Sequence, residues 1–154
     1  FEPKGKTIDE MSLNYFWGSA ICIDVSFVPA SRYIEPADLE EAVRRSGQEL
    51  REGDIVLLYT GHFDANFGTD KWQTVWLAEN GVVNVGVDAP AIDHPDDLDF
   101  SGHLVCGRYN MTNTENLCNL DKVLNKRFLY FGLPLRIRAG SGSPIRAVAL
   151  LDED

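Results

Sequence analysis

No stretch of this sequence approaches the run of about 18 apolar residues that a membrane helix needs, which excludes a helical span. No basic segment followed by an apolar one opens the chain, so no secretory signal is visible. Basic residues are scarce: 14 Lys and Arg stand against 24 Asp and Glu, a net charge of −10. Such a surface repels phosphate backbones, and nucleic acid is not an expected partner. Cysteine is rare as well. Cys22, Cys106 and Cys118 lack CxxC spacing, which argues against a disulfide framework or a zinc knuckle and fits reduced thiols in a cytoplasmic compartment. Cys22 lies in an apolar run and reads as a core residue, whereas a nucleophilic cysteine would need a base beside it. The three histidines, His62, His94 and His103, form neither HxH nor HExxH. The run Gly140-Ser141-Gly142-Ser143-Pro144 has no Lys and no helix start after it, so it is not a phosphate-binding loop.

What is present is the pattern of one α/β domain over residues 1–154. The 154 residues, 44% of them hydrophobic, suffice for one real core. Residues 19–28 are apolar and β-branched with Asp24 and Ser26 at alternate places, which predicts a strand. A helix is expected over 34–47: Pro36 suits its first turn, acids crowd its start, Arg44 and Arg45 its end, and Gly47 stops it. The continuous run Ile55 to Tyr59 predicts a strand buried on both faces. A helix near Thr74 to Asn80 ends at Gly81, and a buried strand follows over 82–88. A short helix is expected near Ser101 to Arg108, then strands over 127–131, 134–138 and 145–151. Helices alternate with strands early and strands cluster late, the pattern of a mixed sheet flanked by helices.

His103 and Glu115 raise the functional question. Twelve residues on a straight helix span about 18 Å, too far for one ion. A shared metal requires the chain to turn back between them, and Gly107, Asn110 and Asn113 permit that. Spacing alone leaves two readings: an imidazole and a carboxylate on one metal, or an exposed His and a capping Glu. Asn113 and Asn116 flank Glu115 and could orient it. His62 ends a buried strand, where ligands bind in α/β sheets. His94 lies among acids and reads as a solvated loop residue, while Asp24, Asp88 and Asp93 read as turn or cap residues.

Several stretches in order resemble the metal-dependent cyclase family that includes kynurenine formamidase and isatin hydrolase. They are GKTIDEM (5–11), GSAICIDVS (18–26), GDIVLLYTG (53–61), WLAENGVVNVGVDAPAID (76–93), His103 with ENLCNLD (115–121), and LPLRIRAGSGSPIRAVAL (133–150). The resemblance implies a swivelling β/β/α domain and hydrolysis of an amide or cyclic amide (lactam) bond in a small molecule, with Zn²⁺ or Mn²⁺ activating the attacking water. It implies that His103 and Glu115 are metal ligands. The family's HxGTHxDxPxH signature, which brings the other ligands, is absent. The first residue is Phe1 and not Met, so the chain reads as the C-terminal portion of a longer polypeptide, or as one partner of a second chain that carries the signature. His62 departs from the Trp that many relatives carry after the TG, and it is a candidate for the substrate pocket. The family also implies a homo-oligomer. The alternative is a non-catalytic binding module or subunit with an incomplete metal site.

Overall fold

The computed structural model describes residues 5–29, 32–61 and 71–152, with the backbone alone described at Lys71 and Trp72. Its centre is a six-stranded mixed sheet: β1 (Trp17–Asp24), β2 (Ile55–Tyr59), β3 (Asn84–Val87), β4 (Thr112–Thr114), β5 (Arg127–Phe131) and β6 (Val148–Leu150). The spatial order is β4-β3-β2-β1-β5-β6. β1 to β4 are parallel, β5 runs antiparallel to β1, and β6 runs antiparallel to β5. Among the described residues three α-helices link the four parallel strands: α1 (Pro36–Ser46), α2 (Lys71–Glu79) and α3 (Ser101–Tyr109). No helix among the described residues is long and apolar enough to cross a membrane.

Strand periodicity explains the apolar runs, because successive side chains point to opposite faces. On one face Ile21, Ile23, Val56, Leu58, Val85 and Val87 pack with Leu39 and Ala42 of α1, Leu77 of α2 and Cys106 of α3. On the other, Ala20, Cys22, Ile55 and Leu57 pack with Phe128, Tyr130 and the segment Leu117 to Val123. Every residue of Ile55 to Leu58 is therefore buried, as a two-faced core strand requires. At α1, Pro36 occupies the first turn, the Glu35 N–H donates to Asp38 Oδ2 at 2.8 Å, and Gly47 closes the helix at φ 68°. Cys22 is a core residue as expected, and burial pushes its thiol up to about 12.

Three expectations change. β1 stops at Asp24 because Asp24 Oδ1 accepts the Ser26 N–H at 2.9 Å and its hydroxyl at 2.6 Å, which turns the chain. Residues 134–138 form no strand. Pro134 removes a donor, Leu135 N–H goes to Ser143 Oγ at 2.9 Å, and Ile137 N–H folds back onto Leu135 O at 2.8 Å. The strand expected over 145–151 shrinks to β6, which pairs with β5. β4 was not expected at all, since Thr112-Asn113-Thr114 is short and polar, yet it carries Asn113 and leads directly into Glu115.

Candidate metal centre

The twelve-residue gap closes because the chain runs down a helix and back up a strand. His103 sits in the first turn of α3. The helix ends at Asn110, whose φ of 53° reverses the chain, and the Met111 N–H caps Cys106 O at 2.9 Å. β4 then runs parallel to β3, and Glu115 follows its last residue. A helix N-terminus and the carboxyl ends of parallel strands thus meet at one end of the sheet, the usual position for ligands in α/β folds. His103 Nε2 lies 3.3 Å from Glu115 Oε1.

Each side chain is fixed by neighbours. Glu115 Oε1 accepts the Ile92 N–H at 3.1 Å and Asn113 Nδ2 at 3.0 Å. Behind the imidazole, Asp93 Oδ2 contacts His103 Nδ1, and Asp93 Oδ1 accepts the Gly102 N–H at 2.5 Å. Asp93 is only 4% exposed. Burial pulls the His103 pKa down, but hydrogen bonds and charge from Asp93 and Glu115 outweigh it and raise the group to about 9. Two carboxylates therefore surround one imidazole, and the site carries excess negative charge. Glu115 also lies on the wall of an open groove of about 540 Å³, with Leu57, Leu117, Phe128, Tyr130 and Val148, and His103 does not line it.

The donor set fits a divalent ion in part. Imidazole nitrogen and carboxylate oxygen are the borderline and hard donors that zinc and manganese accept. Once His103 gives up a proton, Nε2 and the Glu115 carboxylate supply two positions beside each other. Among the described residues no group of three or more His, Cys, Asp or Glu side chains could hold an ion.

The sequence-based candidates divide. His103 and Glu115 come together, and Asn113 is the neighbour that orients Glu115. Asn116 bends the chain at φ 58° instead, and its N–H donates to Ala89 O at 3.0 Å. His62 lies outside the described residues. His94 is not solvated: it is 7% exposed, accepts the Asp96 N–H on Nδ1 at 3.2 Å, and has its ring 4.5 Å from that of Tyr33. Asp24 serves a turn as expected. Asp88 does more, accepting the Thr60 N–H at 3.0 Å, the Thr60 hydroxyl at 2.6 Å and the Gly61 N–H at 3.1 Å, which ties the end of β2 to the end of β3. Asp93, expected as a turn or cap residue, does accept the Gly102 N–H in the first turn of α3, and it also contacts His103 Nδ1, which the sequence pattern did not assign to it. Cys106 is buried with its thiol pushed up to about 12, so it is not a thiolate at neutral pH.

Residues 1–94 match the family model described as "Putative cyclase". Kynurenine formamidase from Bacillus mycoides is 28% identical over 156 residues, covering 96% of this chain and 69% of that protein. An isatin hydrolase bound to the product analogue thioisatinate superposes with a TM-score of 0.84 at 22% identity, over 96% of this chain and 64% of that one. A structure described as a potential metal-dependent hydrolase with cyclase activity superposes with a TM-score of 0.79 at 21% identity, over 96% of this chain and 72% of that one. The chain thus spans less than two thirds of the isatin hydrolase it matches. At these identities the superpositions show a shared α/β fold.

Proposed function

The chain belongs to the cyclase family, and on that premise we propose that it contributes to a metal-dependent hydrolase that opens an amide or cyclic amide C–N bond of a small molecule. The observation that carries this is His103 Nε2 facing Glu115 Oε1 at 3.3 Å, with Glu115 also on the wall of a groove large enough for a small organic molecule. His103 and Glu115 would hold the ion, Zn²⁺ or Mn²⁺. The bound ion supplies a water of lowered pKa and polarises the scissile carbonyl. The chain's own residues do the rest of what is assigned here. Asn113 and the Ile92 N–H hold the Glu115 carboxylate, and Asp93 holds the imidazole. Leu57, Leu117, Phe128 and Val148 offer the apolar part of the substrate a dry wall. The product is a carboxylic acid with an amine, or a ring-opened acid. His62 remains a candidate for the substrate pocket.

Two ligands hold a catalytic ion poorly, so the remaining donors and the general acid or base come from a segment bearing the family's HxGTHxDxPxH signature, on the same polypeptide or on a second chain within an oligomer. The lack of a third donor among the described residues favours one further reading, a non-catalytic binding module or subunit with a vestigial site. Amide and cyclic-imide hydrolysis with added Zn²⁺ or Mn²⁺, paired with elemental analysis, tests both. This chain alone is expected to show no turnover, and the assembly carrying the signature is expected to hold metal and turn over. In that assembly His103→Ala or Glu115→Ala should remove both metal and activity, a loss larger than the roughly 10–100-fold typical of outer-shell changes. Full activity with normal metal content in either variant removes that residue from the site. An assembly without stoichiometric metal favours the non-catalytic reading.

A further inference from the structure

One imidazole lies between two carboxylates, and which of them takes the lasting proton decides whether His103 can be a ligand. Asp93 meets Nδ1, and Glu115 meets Nε2 at 3.3 Å. If the neutral ring kept its proton on Nε2, its lone pair would point at Asp93, and the nitrogen beside Glu115 could not bind an ion. We propose that Asp93 is a positioning residue that holds the neutral His103 ring in the Nδ1–H form, keeping Nε2 open for a cation shared with Glu115. The inference rests on the metal reading above and says how this chain prepares one ligand for it.

Three observations support the assignment. First, Asp93 meets the ring directly at Nδ1 and is nearly inaccessible, while Glu115 is a quarter exposed at its side chain. Second, Glu115 Oε1 already accepts two donors, from Ile92 and Asn113, whereas Asp93 Oδ2 is directed at the ring. Third, Asn113 Nδ2, which can only donate, stands 3.5 Å from Nε2, which suits a lone pair there and not a proton. Asp93 is itself pinned. Its Oδ1 accepts the Gly102 N–H in the first turn of α3, where a carboxylate also meets the positive end of the helix. The segment before it is fastened to the Glu115 segment by Asn116 N–H to Ala89 O and Leu117 N–H to Val87 O, both at 3.0 Å. A carboxylate fixing the far nitrogen of a ligating histidine is a general way of setting its tautomer and orientation.

Asp93→Asn is a sharp probe because it keeps the shape and removes one acceptor. The single amide oxygen of the new side chain would remain with the Gly102 N–H, so an NH₂ group would face Nδ1 and force it to accept. The tautomer should then reverse. Long-range ¹H–¹⁵N correlation of the imidazole, in metal-free protein at a pH above the raised His103 pKa, reads this directly, with His103→Ala identifying the signals. The wild-type ring should carry its proton on Nδ1, Asp93→Asn should move it to Nε2, and Glu115→Gln should leave it on Nδ1. Zinc affinity should fall roughly 10–100-fold in Asp93→Asn. A wild-type Nε2–H ring overturns the proposal without any variant, and so does an unchanged tautomer in Asp93→Asn. Wild-type zinc affinity in Asp93→Asn, with binding lost in His103→Ala, also overturns it. Zinc binding that His103→Ala does not alter overturns the metal reading alone, because the tautomer is measured without metal.

Discussion

Among the described residues Asp54 and Asp93 are each buried against a nitrogen group, and they differ in how the charge is balanced. At the amino end of β2, Asp54 is 1% exposed and takes both Nη atoms of Arg127, at 2.7 and 3.0 Å. Arg127 also donates to Glu49 O and to Ser19 Oγ, so one guanidinium joins β5, β1 and the approach to β2. Charge there is closed, one negative against one positive, and the two Nη groups make four hydrogen bonds. At the other end of the sheet Asp93 and Glu115 share His103, and deprotonation of that imidazole leaves two carboxylates held by the Gly102 and Ile92 N–H groups and Asn113 in place of a full positive charge. The first arrangement completes itself within the chain. The second does not, and on the metal reading proposed above an added cation would complete it.

The contrast can be broken from either side. The largest effect is expected from Arg127→Ala, which strands the buried Asp54. It should cost about 3–5 kcal/mol in urea unfolding while leaving zinc affinity alone. A cost below 1 kcal/mol would show that water replaces the guanidinium. Next comes pH. The folded His103 pKa of about 9 lies above its ordinary value of 6.5, so protonation favours the folded state. Its contribution is complete below pH 6.5 and disappears as pH rises through 9. The change is at most about 3 kcal/mol, at 1.36 kcal/mol per unit. Metal-free protein should therefore be less stable at pH 9.5 than at pH 6, a difference that His103→Gln erases and Arg127→Ala does not. Equal slopes in wild type and His103→Gln would refute this. The smallest effect is expected from Gly86→Ala. An added methyl would press on Leu57 and lie 2.7 Å from Leu117 Cδ1, two residues after Glu115. Overpacking of this kind costs about 1–3 kcal/mol, and here it should also weaken zinc binding by moving the Glu115 segment. Unchanged zinc affinity would show that the segment yields without disturbing its carboxylate.

The sequence makes visible what local pattern controls. Ile55 to Tyr59 and Arg127 to Phe131 appear where expected, and α1 begins near Pro36 and stops at Gly47. It hides what only distant partners decide. Thr112 to Thr114 is too short and polar to announce a strand, despite two β-branched threonines, and becomes β4 because β3 offers a ladder. Leu135 and Ile137 alternate like a strand but find no ladder and stay exposed. His94 looks solvated among its acids and is buried under Tyr33. At the site, spacing left His103 and Glu115 undecided, the resemblance selected them, and the helix-then-strand return shows how they meet. The role of Asp93 depends on a contact across ten positions that no residue pattern announces.

The strand order also carries a consequence for how the chain acquires its structure. β1 is among the first elements in sequence, yet it lies inside the sheet, with β2 on one side and β5 on the other. Trp17 pairs with Phe131, so one edge of β1 stays unsatisfied until nearly the whole described sequence has emerged. Closing so long a loop is entropically slow. During synthesis the nascent chain presents an apolar edge with open backbone donors, the kind of surface that invites strand pairing with other molecules. Refolding yield should therefore depend on protein concentration more steeply than native stability alone would suggest.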